Sequence, residues 1–576
     1  MTMWTYGLCV AAGVLHGFSM AWPAFAGGDG LEISGQASGL LQCISLAILG
    51  GQLLQLAGQE ENFASLKPKP RMGLQAAWLS ALFATSAMTA TWGWLYVSMN
   101  RYGGLSPWLS ALAVLLLASA LSLYFALAGG LWVKLFRAWI LANRLREGRY
   151  AGDRNGSSSG LSAMAFAELK QGLAGACLFA GLWTLAELAR GQWFTGFPWG
   201  AGGYAHTDSL LATYAPWLGV YGIGFLAALL GIGLPITLSM LMARRSRAWW
   251  GMSLMGLTLG LGIPLYLTHA GLDFTQTAGT MKARLLQGNI PQDEKFIPAQ
   301  GVQVALNWYS EQLLANTESL VVTPETAIPV LPQQLPTSYW QALKDKYKPP
   351  HDSQTASPQM AWVGLPMGSA GMGYSNSVIS LSSNPEAYRY DKQHLVPFGE
   401  FVPPFFQWFV RMMNIPLGDF AQNRPAATVL TWQGQRLLPQ ICYEDLFGEE
   451  LARYFADEKE APTVLVNMSN LAWFGDTTAP AQHSSISRMR ALEFQRPVIR
   501  ATNSGQTAFI DAKGVNRASL PAFTRGVLVG EFEGRTGLTP YAQWTSRWGL
   551  TPLWWLCGAI VLVLGAFSWR FGARAL

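Results

Sequence analysis

Eight long apolar stretches constrain the fold of this chain more than any other feature of its sequence. Seven precede a polar region at about residues 270–549, and one follows it. A helix needs about 20 residues to cross the hydrocarbon core of a bilayer, and every stretch reaches that length. The predicted transmembrane helices are Met3–Phe25, Ala37–Leu56, Leu74–Met99, Trp108–Leu135, Leu169–Ala189, Leu211–Met242, Ala248–His269 and Leu550–Phe571.

The composition excludes a soluble globular protein of this size. Charged residues make up 12% of the 576 residues and hydrophobic residues 51%, whereas soluble proteins carry about 25% charged residues. The net charge of +6 is explained by basic loops between the spans. No basic tract interleaved with aromatic residues occurs in the polar region, so we expect no nucleic-acid partner.

The basic residues cluster in alternate loops, and this pattern predicts the topology. Cytoplasmic loops are enriched in Lys and Arg, so both termini are predicted to be cytoplasmic and the polar region extracytoplasmic. The predicted domains are residues 1–269 with seven helices, 270–549 outside the membrane, and 550–576 with the last helix. The clusters comprise Lys67, Lys69, Arg71, Lys134, Arg137, Arg144, Arg146, Arg149, Arg154, Arg244, Arg245, Arg247, Arg570 and Arg574.

The first apolar stretch has two interpretations. Ala24-Phe25-Ala26 is similar to a signal-peptide cleavage site. The stretch lacks a basic amino-terminal region, which favours a retained transmembrane helix. Cleavage stays the alternative.

Strand-like and helix-like runs alternate in the polar region, which predicts layered α/β packing. The predicted strands are Ala283–Gln287, Ser319–Thr323, Ala361–Leu365, Ser377–Leu381, Arg436–Ile441, Thr463–Val466, Val498–Thr502 and Thr507–Ile510. The predicted helices are Val302–Asn316, Tyr339–Tyr347, Leu446–Tyr454 and Ala481–Phe494.

Cys442 is the only cysteine in the polar region. It follows an apolar strand and precedes the predicted helix Leu446–Tyr454, whose amino-terminal dipole would favour the thiolate. A buried structural cysteine is the alternative. The other four cysteines lie in apolar stretches, so no disulfide framework is expected, and no metal-ligand spacing of Cys and His is present. We expect neither a metal nor a cofactor.

Two charged residues also follow predicted strands, where a sheet positions loop residues. Glu325 follows Pro324, which stiffens the turn. Lys392 is followed by the apolar run Leu395–Glu400, in which Glu400 is a possible partner. Taken alone, Glu325 is equally well a solvated loop residue, and a lone lysine such as Lys392 is usually a surface charge. Together with Cys442 they supply a base, a cation and a nucleophile for acyl transfer, with the Tyr443 N–H as a second oxyanion donor.

Ordered motifs around these residues extend along nearly the whole chain. They are Leu286–Gln292, Pro324–Pro329, Lys392–Phe401, Ile441–Glu444, Ser469–Gly475, Arg488–Glu493 and Thr502–Gly505, with Trp94–Ser98, Glu187–Gly191 and Thr195–Trp199 in the membrane part. On these motifs the outer domain resembles the nitrilase, or carbon–nitrogen hydrolase, superfamily. The whole chain resembles the apolipoprotein N-acyltransferase family.

The resemblance implies an αββα sandwich and a Glu–Lys–Cys triad formed by Glu325, Lys392 and Cys442. It further implies Glu400 as a supporting carboxylate, with Tyr443 and Glu444 positioning the nucleophile. One departure is Phe296, which stands where the family pattern has Trp, so a hydrogen-bonding indole is lost there.

The resemblance also implies a reaction. The Cys442 thiolate takes an acyl chain from a phospholipid, the sn-1 chain of phosphatidylethanolamine, and passes it to the amine of an apolipoprotein's diacylglyceryl-cysteine. The expected location is the bacterial inner membrane, with the catalytic domain periplasmic and the protein a monomer. The aromatic loops Trp193–Trp199 and Phe405–Phe409 are candidate gates for lipid chains, or equally well aromatic belts at the interface.

Two other functions fit parts of the sequence. A membrane-anchored amidase of the nitrilase type would use the same triad, but one or two anchor helices would suffice for it. A transporter with a large outer domain would need a pathway through the membrane, and spans one to seven hold few ionisable residues for it.

Overall fold

The computed structural model describes residues 2–23, 35–59, 71–150, 158–243, 248–348, 358–369, 373–383, 388–402 and 428–573. Several predictions fall outside these residues: the Ala24-Phe25-Ala26 cleavage site, the basic residues Lys67, Lys69, Arg154, Arg244, Arg245, Arg247 and Arg574, and the aromatic loop Phe405–Phe409. The described chain forms two compact units. The first comprises 1–93, 112–272 and 550–576, and the second 94–111 and 273–549.

The first unit is helical. Six helices of the described chain are long and apolar enough to cross a membrane, and Met3–Phe18 is a shorter apolar helix. With Arg71–Thr91 they account for the predicted bundle of about eight helices, since Ala248–Leu257 and Ile263–Ala270 form one span that is joined by the π-helix Thr258–Gly262. The helices are Met3–Phe18, Gly39–Gly58, Arg71–Thr91, Pro107–Tyr150, Ser158–Gln192, Ala215–Ala243, Ala248–Leu257, Ile263–Ala270 and Thr551–Ala573.

The third predicted span, Leu74–Met99, is shorter in the structure. Its helix ends at Thr91, a turn follows, and residues 94–111 group with the second unit. Gly93 lies in this turn, and glycine weakens a helix by about 1 kcal/mol relative to alanine. The sequence prediction had assigned this segment to residues 1–269. The domain boundaries as a whole stay a prediction.

The loop Trp193–Trp199, a candidate gate, is only partly accessible. Trp193 is stacked on Trp554 at 5.7 Å between ring centroids, and Trp199 is buried. Phe194 is 91% exposed. Trp193 and Phe194 are therefore its large exposed aromatic residues, and the choice between gate and belt stays open.

The second unit contains two six-stranded sheets. The first has the order β12-β1-β2-β3-β4-β5 and the second β11-β10-β9-β8-β7-β6. The strands are β1 Gln276–Gln287, β2 Leu320–Val322, β3 Met360–Ser369, β4 Gly373–Ser382, β5 Arg389–Asp391, β6 Leu430–Trp432, β7 Gln435–Ile441, β8 Val464–Ser469, β9 Val498–Thr502, β10 Ala508–Ile510, β11 Asn516–Ser519 and β12 Gly526–Thr536.

The alternation of side chains along the strands builds three apolar layers. Leu320 and Val322 lie in the core shared by the two sheets, while Val321 between them faces a core formed with helices. This is the period of two that a strand buried on both faces requires. The helices that cover the first sheet are Gln303–Leu314 and Thr337–Tyr347, and those packed on the second include Ala479–Phe494 and Pro540–Trp548. The fold is therefore the predicted αββα sandwich.

The strand directions bring loop residues together. β1, β2 and β3 run parallel in one sheet, and β7, β8 and β9 run parallel in the other. The carboxyl ends of parallel strands meet at one edge, where α/β proteins place their sites. Glu325, Cys442 and Asn470 follow β2, β7 and β8, and Lys392 follows β5.

Candidate active site

Cys442 directly follows β7 and has a left-handed backbone, with φ of 54°. A residue other than glycine rarely adopts this conformation, which persists only where the surroundings enforce it. Here the main-chain oxygen of Cys442 lies 3.3 Å from Nε2 of the buried His483. The backbone therefore turns sharply at the thiol.

The helix predicted after Cys442 is wrong in its extent. Cys442–Leu446 is a 3₁₀ turn, the α-helix is only Gly448–Leu451, and Ala452–Phe455 is again 3₁₀. Phe447, with φ of −102° and ψ of 74°, has a non-helical backbone that separates the first 3₁₀ turn from the short α-helix. The dipole of a long helix therefore does not act on the thiol.

Glu325 is fixed by two hydrogen bonds to its carboxylate. Oε1 accepts from Nδ2 of Asn376 at 2.6 Å, and Oε2 accepts from the main-chain N–H of Asn470 at 2.8 Å. The side chain is buried. One carboxylate is thereby tied to β4 of the first sheet and to the end of β8 of the second.

Lys392 is almost fully buried, and two carboxylates neutralise its charge. Its Nζ lies 2.9 Å from Oε1 of Glu400 and 3.5 Å from Oε1 of Glu325. Burial alone would lower the pKa of Lys392, but Glu400 and then Glu325 outweigh it and raise the pKa above its usual range. The ammonium group therefore stays protonated. Glu400 is held in turn by the Val396 N–H, 2.9 Å from Oε2.

The electrostatics around Cys442 favour the neutral thiol. Burial and then the negative charge of Glu325 raise the pKa of Cys442 well above its usual value, while Lys392 lowers it. The thiolate expected from a helix dipole is therefore not the resting form. A base must remove the proton before the sulfur can attack, and Glu325 is the carboxylate with the strongest influence on it.

Glu444 lies behind the nucleophile and connects two loops. Its carboxylate accepts hydrogen bonds from the main-chain N–H groups of Ile441 at 2.6 Å and Gln393 at 2.5 Å, and from the hydroxyl of Tyr390 at 2.7 Å. Because Ile441 directly precedes Cys442 and Gln393 directly follows Lys392, the contacts support a positioning role for Glu444.

Tyr443 is buried beside the nucleophile. Its ring centroid lies 5.2 Å from that of Phe447 and 5.6 Å from that of His394. These contacts fix the side chain of the residue whose N–H is the expected oxyanion donor.

Three polar residues of this site were not predicted as functional. The amide of Asn376 donates to Glu325 and also to Glu400, at 3.2 Å. Asn470 holds the other oxygen of Glu325, and the buried Lys295 donates from Nζ to the main-chain oxygen of Glu325 at 3.3 Å. Asn376 lies between Ser375 and Ser377, just before the predicted strand Ser377–Leu381, so its polar surroundings gave no signal for it. Lys295 lies in the charged run Asp-Glu-Lys, which is typical of a surface turn.

The comparisons with known proteins cover both units. The family model for the apolipoprotein N-acyltransferase N-terminal domain matches residues 38–233, and the model for carbon–nitrogen hydrolases matches residues 282–541. A protein of Verminephrobacter eiseniae named apolipoprotein N-acyltransferase is 43% identical, over 95% of this chain and 94% of its own length.

Two further relatives carry the same name. The protein from Ralstonia nicotianae is 40% identical over 91% of this chain and 90% of its own length. That from Bordetella bronchiseptica is 37% identical over 91% of both chains. Identity at this level along nearly the full length of both partners shows that this multi-pass membrane protein belongs to the apolipoprotein N-acyltransferase family.

Proposed function

We propose that the chain transfers an acyl group from a membrane phospholipid to the amino-terminal amine of a diacylglyceryl-cysteine lipoprotein, through a thioester on Cys442. The observation that carries the proposal is the pairing of Lys392 with Glu325, since both charges act on the Cys442 thiol. The relatives' shared name supports the acceptor. The donor, phosphatidylethanolamine acylated at sn-1, and the monomeric state are further parts of the proposal.

In the first half-reaction Glu325 accepts the thiol proton and the sulfur attacks the ester carbonyl. The negative charge that develops on the carbonyl oxygen is stabilised by the Lys392 ammonium and by the Tyr443 N–H. The carbon–oxygen bond of the ester then breaks. Glu325 returns the proton to the leaving oxygen, so a lysophospholipid departs and a thioester remains.

In the second half-reaction the lipoprotein's amine attacks the thioester carbonyl. Glu325 accepts a proton from the amine as the carbon–nitrogen bond forms. The carbon–sulfur bond breaks, and the proton passes to the sulfur. The products are an N-acylated lipoprotein and free Cys442, and Glu325 serves as base and acid in both halves.

The proposed location is the inner membrane, with the catalytic unit on the periplasmic side. The basic clusters in alternate loops support this orientation. Both substrates are anchored in lipid by their acyl chains, which explains why an enzyme with a nitrilase-like domain needs many membrane helices rather than a single anchor.

The direct test is to incubate the protein with phosphatidylethanolamine, digest it and analyse its peptides by mass spectrometry. We expect an added acyl mass on the Cys442 peptide that hydroxylamine removes, and none in Cys442→Ala. Cys177→Ala, in an apolar helix, is the matched control and should keep the adduct. An adduct that persists in Cys442→Ala would overturn the proposal.

The acceptor distinguishes the proposal from an amidase. The acyl-enzyme should resist water and be discharged by a diacylglyceryl-cysteine peptide with a free amine, but not by the same peptide with an acetylated amine. Rapid hydrolysis of small amides together with equal discharge by both peptides would favour the amidase.

A further inference from the structure

Lys295 is a second buried lysine in the candidate site. It lies in the loop after β1, is 2% exposed, and donates from Nζ to the main-chain oxygen of Glu325 at 3.3 Å. Lysine is almost never fully buried without a partner. Its acidic neighbours on the same loop, Asp293 and Glu294, are exposed, and Asp293 pairs with Arg101 at 2.9 Å. The polar contact of the Lys295 ammonium group is therefore with the site, at the main-chain oxygen of Glu325, while Phe296 of its own loop adds a ring contact at 6.0 Å.

The hydrogen bond of Lys295 falls on a strained turn. The peptide group that accepts it joins Glu325 to Thr326, which has φ of 51°. A β-branched residue in this conformation is a true outlier. The turn is also packed from one side, because a Cβ added at Gly364 would lie 2.3 Å from the main-chain oxygen of Pro324. Lys295 is thus one of the contacts that hold the backbone of the general base.

Charge balance gives Lys295 a second role. Two carboxylates, Glu325 and Glu400, share the single ammonium group of Lys392. Without another cation this cluster carries one excess negative charge even before Cys442 ionises, and like charge disfavours the thiolate. Lys295 supplies the balancing charge for this cluster, and on the other side of Cys442 the negative charge of Asp445 is opposed by Arg500. Glu325 and Cys442 favour the protonated form of Lys295, although burial lowers the pKa of Lys295 to about 8.

We propose that Lys295 is a positioning residue of the acyl-transfer site: it fixes the backbone of Glu325 and supplies the positive potential that allows Cys442 to ionise. This inference rests on the proposed function of Cys442 as nucleophile. It assigns the two lysines different tasks. Lys392 is always charged and faces the reacting carbonyl, while Lys295 acts through Glu325 and through the field at the sulfur.

The test measures ionisation of Cys442 without any acyl donor. Each variant is made in a background in which the other four cysteines are alanine, and the rate of alkylation by iodoacetamide is followed from pH 6 to 10. Lys295→Met removes the charge at nearly constant volume. We expect its alkylation profile to move to higher pH by about one unit, so the rate at pH 7.5 falls roughly tenfold.

Lys295→Arg keeps the charge and controls for packing. Arginine stays protonated throughout this range. The midpoint of the alkylation profile of Lys295→Arg should therefore lie at the same pH as that of the parent, or at a lower pH. Lys282→Met, at an exposed position of β1, should leave the profile unchanged. Equal profiles for Lys295→Met and the parent would overturn the inference, as would a shift of the same size in Lys295→Arg.

Two measurements separate this inference from the proposed function. If the parent protein forms no acyl adduct on Cys442, the proposed function fails whatever the alkylation profiles show. If the parent forms the adduct and Lys295→Met forms it at the parent rate across pH, only the role of Lys295 fails.

If Lys295→Met does not fold, the decisive result comes from the variant Lys295→Arg. Above pH 8 the parent loses the positive charge of Lys295, whereas the arginine variant keeps its charge. The rate of acyl loading above pH 8 should therefore be higher in the variant than in the parent. The same decline of the loading rate in both proteins would overturn the inference.

Discussion

Lys392 and Glu400 form a buried ion pair with 2.9 Å between Nζ and Oε1. The separation from Lys392 to Glu325 is longer, at 3.5 Å. Two carboxylates therefore compete for one ammonium group, and the nearer one is not the proposed base. This arrangement leaves Glu325 less tightly paired, which is what a group that must accept and return a proton requires.

Replacing Glu400 with glutamine tests this division of labour. Glu400→Gln keeps the shape but leaves Glu325 as the sole carboxylate partner of Lys392, so Glu325 accepts a proton less readily. We expect this loss to outweigh the easier ionisation of Cys442 that follows from removing one negative charge. We expect acyl loading of Cys442 to slow by about 10- to 100-fold, equivalent to roughly 1.4–2.8 kcal/mol. Acyl loading is measured by mass spectrometry of samples quenched at successive times. The exposed Glu311→Gln is the control, and a parent-like rate in Glu400→Gln would show that Glu400 only packs.

Asn376 lies between the same two carboxylates, donating 2.6 Å to Glu325 and 3.2 Å to Glu400. Asn376→Asp replaces this donor with a third negative charge, which raises the pKa of its neighbours. We expect it to impair acyl loading at least tenfold more than Asn376→Ala at pH 7, and to recover partly as the pH falls. Equal rates for the two variants across pH 5–8 would contradict the electrostatic account.

The sequence predicted the parts of this fold that depend on local pattern. β9 was predicted at Val498–Thr502, which are its observed bounds. β12, Gly526–Thr536, was missed. It is an edge strand on which Glu531 and Glu533 are exposed and only Phe532 and Gly534 are buried, so its short apolar run Val527–Val529 is followed by charged and glycine residues that hide the strand.

The candidate site, too, could be predicted from the sequence only in part. Glu325, Lys392 and Cys442 were found because each follows a strand and lies in a family motif, and their catalytic roles stay a prediction. Lys295 was missed because its burial depends on the packing of a loop against residues far away in sequence. The raised pKa of Cys442 was missed for the same reason, since desolvation is a property of the assembled site.

Trp94 connects the segment at residues 94–111 to the catalytic loop. Its Nε1 donates to Oε1 of Gln482 at 3.0 Å, and its ring lies 4.3 Å from that of Phe474. Phe474 ends the turn that begins after Asn470, the residue that holds Glu325. Trp94→Phe should cost about 1 kcal/mol of stability through the lost hydrogen bond and slow acyl loading several-fold.

The control for this prediction is Trp78→Phe, at a side chain that is 58% exposed on the helix Arg71–Thr91. Thermal unfolding and acyl loading are measured for both variants. If Trp94→Phe lost stability but kept the parent rate of acyl loading, the contact of Trp94 would stabilise the fold without affecting catalysis. The predicted slowing of acyl loading would then be wrong.

Asp445 should make the stability of the protein depend on pH. Burial raises the pKa of Asp445 to about 7, against the opposing effect of Arg500. Because the folded state holds this proton more tightly than the unfolded chain, the contribution is favourable below about pH 4 and is lost as the pH rises toward 7.

Asp445→Asn removes this titration but keeps a side chain of the same shape. The Tm of the variant minus that of the parent should therefore become more positive between pH 5 and pH 8. In the parent, the Ser487 hydroxyl donates to Asp445 at 2.7 Å, and the substitution weakens this hydrogen bond at every pH. The decisive quantity is therefore the change of the Tm difference with pH, not its absolute value. A slope of zero or of opposite sign would exclude a raised pKa at Asp445.

Thr326 offers a test of whether backbone strain serves the base. Relieving its left-handed conformation with Thr326→Gly removes a cost of about 1–2 kcal/mol, but it also gives the peptide beside Glu325 more freedom in the unfolded and folded states. We expect stability to change by less than about 1 kcal/mol while acyl loading falls at least tenfold, because the carboxylate samples more orientations. Thr326→Ala, which keeps a Cβ, should lose more stability than the glycine variant and less activity. If the glycine variant loaded Cys442 as fast as the parent, the constrained turn would have no catalytic role, and the hydrogen bonds from Asn376 and Asn470 would suffice to aim the carboxylate.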